Sequence, residues 1–195
     1  MSGLSDIAAK VDFDMGRRDF KFFFEDICGF QLAHFHNEWY DNAEKNTKTC
    51  VIASRDHGKS VFFRCYLLWK MAYNPGTEVL FFSHSQHQSI DHMSKMDELI
   101  MTTPALAHLK PARGWAKQLF KMTNKSSIRA MSVGKAVRGA HPQIVVLDDI
   151  YQAKHKLNLV QFQHGFTLHC CLSSTTRLNF VLLEHLFPIQ ICIPN

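Results

Sequence analysis

The stretch Cys50-Val51-Ile52-Ala53-Ser54-Arg55-Asp56-His57-Gly58-Lys59-Ser60 decides how the chain is read. It has the form of a buried strand running into a phosphate-binding loop, with a helix starting at Lys59-Ser60. A phosphate needs several backbone N–H groups aimed at one point, together with the positive end of a helix dipole. The backbone from Ser54 through Asp56, His57 and Gly58 to Val61 would form that cradle, and Gly58 allows close approach. Lys59 would reach the β- and γ-phosphates, and the Ser60 hydroxyl would ligate Mg²⁺. The spacing fits a Walker A loop, except that Ala53 stands where the first glycine is usual. Gly-Lys-Ser alone is common by chance, so its flanks carry the argument.

Those flanks are consistent. Thr49–Ala53 is apolar and short enough for a strand. Val61–Ala72 lacks Gly and Pro and is apolar nearly all round, as a helix buried beside a sheet should be. Asn74-Pro75-Gly76 ends that helix, and Glu78-Val79-Leu80-Phe81-Phe82-Ser83 reads as a second strand. Strand, loop, helix and strand make a βαβ unit. The expected fold class is α/β, a P-loop NTPase-type, mostly parallel sheet with flanking helices.

An ATPase of this class also needs acidic residues at a strand end. Gln143-Ile144-Val145-Val146-Leu147-Asp148-Asp149 supplies four consecutive apolar residues, which suit a strand covered on both faces, followed by two carboxylates. Open α/β sheets bind ligands at the C-terminal ends of their strands. Asp148 is therefore the candidate Mg²⁺ ligand and Asp149 the candidate base for the attacking water. The plainer alternative is a solvated loop opening with two aspartates.

Taken in order, these elements resemble the ATPase domain of the large terminase subunit, the DNA-packaging motor of tailed bacteriophages and related viruses. Ser54–Ser60 looks like that family's arginine-containing Walker A. Asn124–Ala130, followed by Val137-Arg138-Gly139, resembles its strand pair leading to an Arg-Gly element, and Val145–Asp149 takes the Walker B place. The likeness covers roughly Phe30 to Ile150. It implies that Gln31 reads the adenine edge, the alternative being an exposed helix glutamine. It implies that Arg55 stabilises charge on the transferring phosphoryl group, or contacts a neighbouring subunit. Arg138-Gly139 would couple nucleotide state to the motor or touch DNA, a turn with a solvated arginine being the alternative. Where the family ends its acidic motif in Asp-Glu, this chain has Asp148-Asp149.

The resemblance further implies an ATP hydrolase using ATP and Mg²⁺. Its partners would be double-stranded viral DNA, a portal protein and a small terminase subunit, in a homo-oligomeric ring and not at a membrane. Its location would be the host cytoplasm, transiently at the procapsid portal. Residues 1–46 are expected to form an N-terminal helical, adenine-side segment, and residues 47–150 the ATPase core. Residues 151–195 form an atypical tail in which Leu168–Thr176 could stand for a coupling strand. With Glu184 the only acidic residue after Asp149, no nuclease carboxylate cluster can be built there, and the tail reads as truncated or frame-disrupted. A nucleotide-binding remnant without turnover is the alternative function. A helicase would need motifs after Asp149 that are not visible.

Composition sets wider bounds. At 195 residues and 46% hydrophobic, the chain can bury one α/β core. A net charge of +5 is compatible with contact to a polyanion without establishing it. The basic stretch Lys110–Lys135 could approach DNA phosphates, but Trp115 and Phe120 within it read as core anchors. No segment reaches the about 20 apolar residues of a membrane span, and Met1–Lys10 has no secretory apolar core. The six cysteines lie in apolar sequence and read as reduced, buried thiols. His84, His87 and His92 do not match a zinc spacing and read as a loop and helix start before the helix Ile90–Met101. Met1–Asp12 reads as loose, Phe13–Tyr40 as aromatic and helical. Lys117–Thr123 and Ser126–Ser132 alternate like paired strands about the turn Asn124-Lys125.

Overall fold

The computed structural model describes residues 2–54, 56–132, 141–148 and 179–184. Helix α1 (Ser2–Arg18) is followed by the short α2 (Phe20–Phe22), which continues as a π-helical segment, Phe23–Ile27. Helix α3 (His34–Lys45) then leads to strand β1 (Lys48–Ile52), helix α4 (Lys59–Tyr73) and strand β2 (Glu78–Ser83). Helix α5 (Gln86–Thr102), a 3-10 turn (Ala107–Leu109), and strands β3 (Leu119–Lys121), β4 (Ser127–Ser132), β5 (Ile144–Asp148) and β6 (Asn179–Glu184) complete the described elements. The strands form one sheet in the order β1-β6-β5-β2-β4-β3. Only β3, paired with β4 about the turn at Lys125, is antiparallel; every other pair is parallel.

Register explains how the sheet is buried. Val79 pairs with both Ile128 and Ile144, and Phe81 with both Ala130 and Val146, so these side chains share one face and enter one hydrophobic core. Leu80, Phe82, Val145 and Leu147 fall on the opposite face and are buried too. Every residue of β5 is buried, which accounts for its unbroken apolar run.

Helix α4 is the centre of the core. Phe62, Phe63, Cys65, Tyr66, Leu67, Leu68, Met71 and Ala72 are all buried, on every side of the helix. One side meets the sheet; the other meets an aromatic layer built from the N-terminal segment. There Phe20 stacks on Tyr40 at 4.9 Å and meets Phe62, Tyr66 and Trp69 edge-on at 5.5–6.0 Å. Such pairs each add about 0.5–1.5 kcal/mol beyond area burial. Glu44 closes this layer, accepting from Tyr66 Oη and Lys70 Nζ, each at 2.8 Å. The last carbonyls of α4 are satisfied by the β3–β4 turn. Asn124 Nδ2 and Ser126 Oγ donate to Met71 O at 2.8 and 2.9 Å.

The N-terminus departs from expectation. Met1–Asp12 reads as loose, yet Ser2–Arg18 is helical. No Gly or Pro interrupts it between Gly3 and Gly16, and Gly16 is where it docks. A Cβ there would lie 2.6 Å from Ile27 Cδ1 and from Tyr73 Oη, and Trp69 Nε1 donates to Gly16 O at 2.8 Å. Packing at its far end holds the helix although Leu4, Ile7 and Val11 stay exposed. The aromatic segment is also not one helix: it is broken at Asp19, which caps Lys21 N–H at 2.8 Å, and again between Ile27 and His34.

Other expectations fare variously. The helix expected at Ile90–Met101 starts earlier, because Ser85 caps it by accepting from Gln88 N–H at 3.2 Å. Phe120 is buried and Trp115 stacks on it at 4.4 Å, a core role. Cys28 and Cys65 are buried, but Cys50 is exposed, since β1 lies at an end of the sheet. The strand between β1 and β5 is Asn179–Glu184; Leu168–Thr176 lies outside the described residues. Among the described residues, no helix is long and apolar enough to cross a membrane.

Leu68→Ala, at a fully buried site, should cost about 3 kcal/mol in urea denaturation. Leu4→Ala, on the exposed face of α1, should change stability by less than about 0.5 kcal/mol.

Candidate phosphate-binding and acidic site

The loop between β1 and α4 turns through two left-handed positions before the helix begins. Asp56 (φ 68°) and Gly58 (φ 69°) both sit in the left-handed region, on either side of His57. For Asp56 that conformation carries a strain that a glycine would not feel. Gly58 is the N-cap of α4, and its carbonyl accepts from Phe62 N–H at 2.8 Å, so the helix axis begins at the loop. Lys59, the first helical residue, is only 3% exposed. Ser60 and Val61 are half-buried, while Ser54, Asp56 and His57 are exposed. Arg55 lies outside the described residues.

The acidic strand ends on the same edge of the sheet. Val51 of β1 pairs with Leu183 of β6, and Leu183 pairs with Asp148 of β5, so Val51 and Asp148 occupy one row of the sheet. With neighbouring strands about 4.8 Å apart, that row sets the two segments one intervening strand from each other. A cleft between α4 and α5 is lined by both Ser60 and Asp148, together with Arg64, His92 and Phe81. The structure thus brings Ser60 and Asp148 together. Asp149, Arg138 and Gly139 lie outside the described residues. Gln31 is exposed on the loop leading into α3, not on a helix as the alternative reading had it.

The polar groups of this cleft are unusually poorly satisfied. Asp148 is 1% exposed, yet among the described residues no aligned hydrogen bond reaches Oδ1 or Oδ2. Among the described residues His92 approaches it, with Nε2 2.9 Å from Oδ2. Ser83, the register partner of Asp148 on β2, is fully buried, and among the described residues neither its Oγ nor the buried Arg64 Nε has a hydrogen-bond partner. Burial pulls the Arg64 guanidinium below its ordinary range, opposed by the fields of Cys65, Asp91, Asp148 and Glu98. Buried polar atoms in native proteins are nearly all paired. Among the described residues these groups cluster at one strand edge. A hard cation held by a carboxylate and a hydroxyl, with phosphate oxygens filling the remaining positions, fits this donor set.

Arg64 and His92 were not singled out by sequence as members of this site. Arg64 stands at i+4 from Ser60, so it lies on the same face of α4 one turn further on, a spacing that could have pointed to it. His92 was read as part of a helix start; only the packing of α5 shows where it faces.

His36 is the other residue that sequence left without a role. It is 5% exposed on the first turn of α3. Its Nδ1 accepts from Ala33 N–H at 3.0 Å, its Nε2 lies 3.1 Å from His57 O, and its ring stacks on Phe62 at 5.2 Å. Burial holds its pKa below the ordinary 6.5, partly offset by the contact with the His57 backbone. The unfolded chain then takes up a proton that the native ring refuses, so the stability this residue contributes is present above pH 6.5 and lost as pH falls below it. Urea denaturation at about pH 7.5 and about pH 5.5 should show a fall in stability, smaller in His36→Gln than in the wild type.

By sequence, no protein-family model and no curated protein matches the chain. Solved structures do match by fold. The large terminase of bacteriophage HK97 aligns with a TM-score of 0.66 at 17% identity, over 87% of this chain and 38% of that one. The ATPase domain of the Thermus phage P74-26 large terminase aligns with a TM-score of 0.53 at 12% identity, over 84% of this chain and 69% of that one. An arginine-to-alanine variant of the same domain gives 0.57 at 11%, over 82% and 67%. The chain thus spans well under half the length of the HK97 protein. Its fold is the mixed α/β fold seen in phage large-terminase ATPase domains.

Proposed function

We propose that the chain is an ATP-binding and hydrolysing motor module of a phage large terminase, acting in the packaging of viral double-stranded DNA. The observation that supports this most is the meeting of Ser60 and the buried, unsatisfied Asp148 in one cleft beside the mouth of a left-handed, helix-capping loop. The terminase fold of its structural neighbours gives the module its context.

In this reading the loop from Ser54 to Val61 cradles the phosphates through its amides, and the N-terminus of α4 adds its dipole. Lys59 neutralises the β- and γ-phosphates, and Arg55 stabilises the charge that builds on the γ-phosphoryl group as water attacks in line. Asp149 orients and deprotonates that water. Ser60 and Asp148 would hold Mg²⁺, which would supply positive charge to stabilise the phosphoryl transfer. Gln31 contacts the adenine edge, donating and accepting through one amide. Arg138 and Gly139 couple the nucleotide state to movement or to DNA. The partners would be the DNA, a portal protein, a small terminase subunit and further copies in a ring, in the host cytoplasm and at the procapsid portal.

Nucleotide binding and phosphate release by the purified chain test this directly. Lys59→Ala should weaken ATP binding about 10- to 100-fold, the worth of charge-assisted hydrogen bonds. Asp148→Asn should abolish Mg²⁺-dependent turnover while leaving Mg²⁺-free nucleotide binding within about 3-fold of wild type, because it removes the charge that would hold the cation. Tight binding with no turnover in the wild type would instead support the non-hydrolysing remnant. Unchanged binding in Lys59→Ala would overturn the site altogether.

A further inference from the structure

We propose that His36 is a positioning residue for the phosphate-binding loop, aiming the Gly58 N–H at the nucleotide by pinning the His57 carbonyl from beneath. The inference rests on the loop being a phosphate site, as argued above, and adds what holds it in shape.

The tautomer follows from the contacts. Ala33 N–H donates to Nδ1 at 3.0 Å, so Nδ1 carries no proton in the neutral ring. The remaining ring proton is on Nε2, which faces His57 O at 3.1 Å and donates to it. In a trans peptide the C=O of His57 and the N–H of Gly58 share a plane and point in opposite directions. Holding the oxygen toward the buried imidazole therefore turns the Gly58 N–H away from the core, toward the open side of the loop where a phosphate oxygen would sit.

The loop needs such a hold. His57 lies between two left-handed residues, one of them the non-glycine Asp56. Backbone in such regions costs of order 1–3 kcal/mol and persists only where its surroundings over-determine it. His36 is well placed to do so, because it is itself immobilised. It is buried, stacked on Phe62 at 22° between ring planes, and flanked by Trp39 at 4.9 Å and Phe35 at 4.5 Å. A Cβ at Gly58 would lie 3.6 Å from its Cε1 and Nε2, so the ring forms the floor under that glycine. Through Ala33 the same ring is tied to the segment carrying Gln31, which makes it a strut between the adenine side and the phosphate side.

Three substitutions separate these roles. His36→Gln can still donate to His57 O; His36→Asn can still accept from Ala33 N–H but falls short of the loop; His36→Phe keeps only the packing. Binding of ADP with Mg²⁺ should weaken about 3- to 10-fold in the Asn and Phe variants, the worth of one hydrogen bond, and stay within about 3-fold of wild type in Gln. Hydrogen exchange of the segment 53–61 should quicken in Asn and Phe while that of β5 is unchanged, with melting temperatures of Gln and Asn close together. Equal affinity and equal loop exchange in all three would overturn the proposal, as would losses that simply follow melting temperature. If the wild type binds no nucleotide, the phosphate-site reading falls, and loop exchange alone decides the strut: an unchanged rate in Asn sinks it.

Discussion

Parallel pairing across β1, β6 and β5 is the constraint on which the candidate site depends. Parallel strands present their C-terminal ends on a common edge, and the row Val51–Leu183–Asp148 sets the start of the β1–α4 loop level with the acidic strand end. Segments far apart in the chain thereby meet, and they do so on backbone hydrogen bonds rather than on side-chain contacts of their own. The side chains at that edge are then free to be chosen for chemistry. Asp148, Ser83 and Arg64 show the consequence: buried polar atoms without a hydrogen bond among the described residues, Asp148 having only the contact with His92.

Helix α4 links that edge to the rest of the molecule. Its body is buried on all sides, between the sheet and an aromatic layer contributed by α2, the π-helical segment and α3. Its head carries Lys59, Ser60 and Arg64. A helix so completely packed cannot shift easily, which gives the loop at its N-terminus a rigid anchor on one side. His36 supplies the anchor on the other. The aromatic N-terminal segment therefore does more than cover the core; through α3 it reaches the loop itself.

Much of this was legible in sequence where local signals agreed. Strands β2 and β5 and helix α4 are continuous apolar runs, punctuated by Gly58, Asn74-Pro75-Gly76 and Asp148-Asp149, and their bounds follow within a residue or two. The paired strands about Lys125 were visible from alternation, and Lys125 itself adopts a positive φ. Reading failed where a tertiary contact overrides composition. Polar Met1–Asp12 reads as a loose end, yet Gly16 docks a continuous helix against Ile27, Trp69 and Tyr73. Apolar flanks around Cys50 suggested burial, but an edge strand leaves one side open.

The residues alone determined that a glycine-capped, lysine-headed helix follows a short apolar strand, and that two carboxylates close another, because turn chemistry and hydrophobic period are local properties. Only the tertiary structure decided that Ser60 and Asp148 line one cleft, that β6 lies between their strands, and that Arg64 and His92 join them. It alone placed His36 beneath Gly58. Those outcomes depend on strand order and on which helix face meets which sheet edge, and such long-range choices leave no periodic trace in the chain.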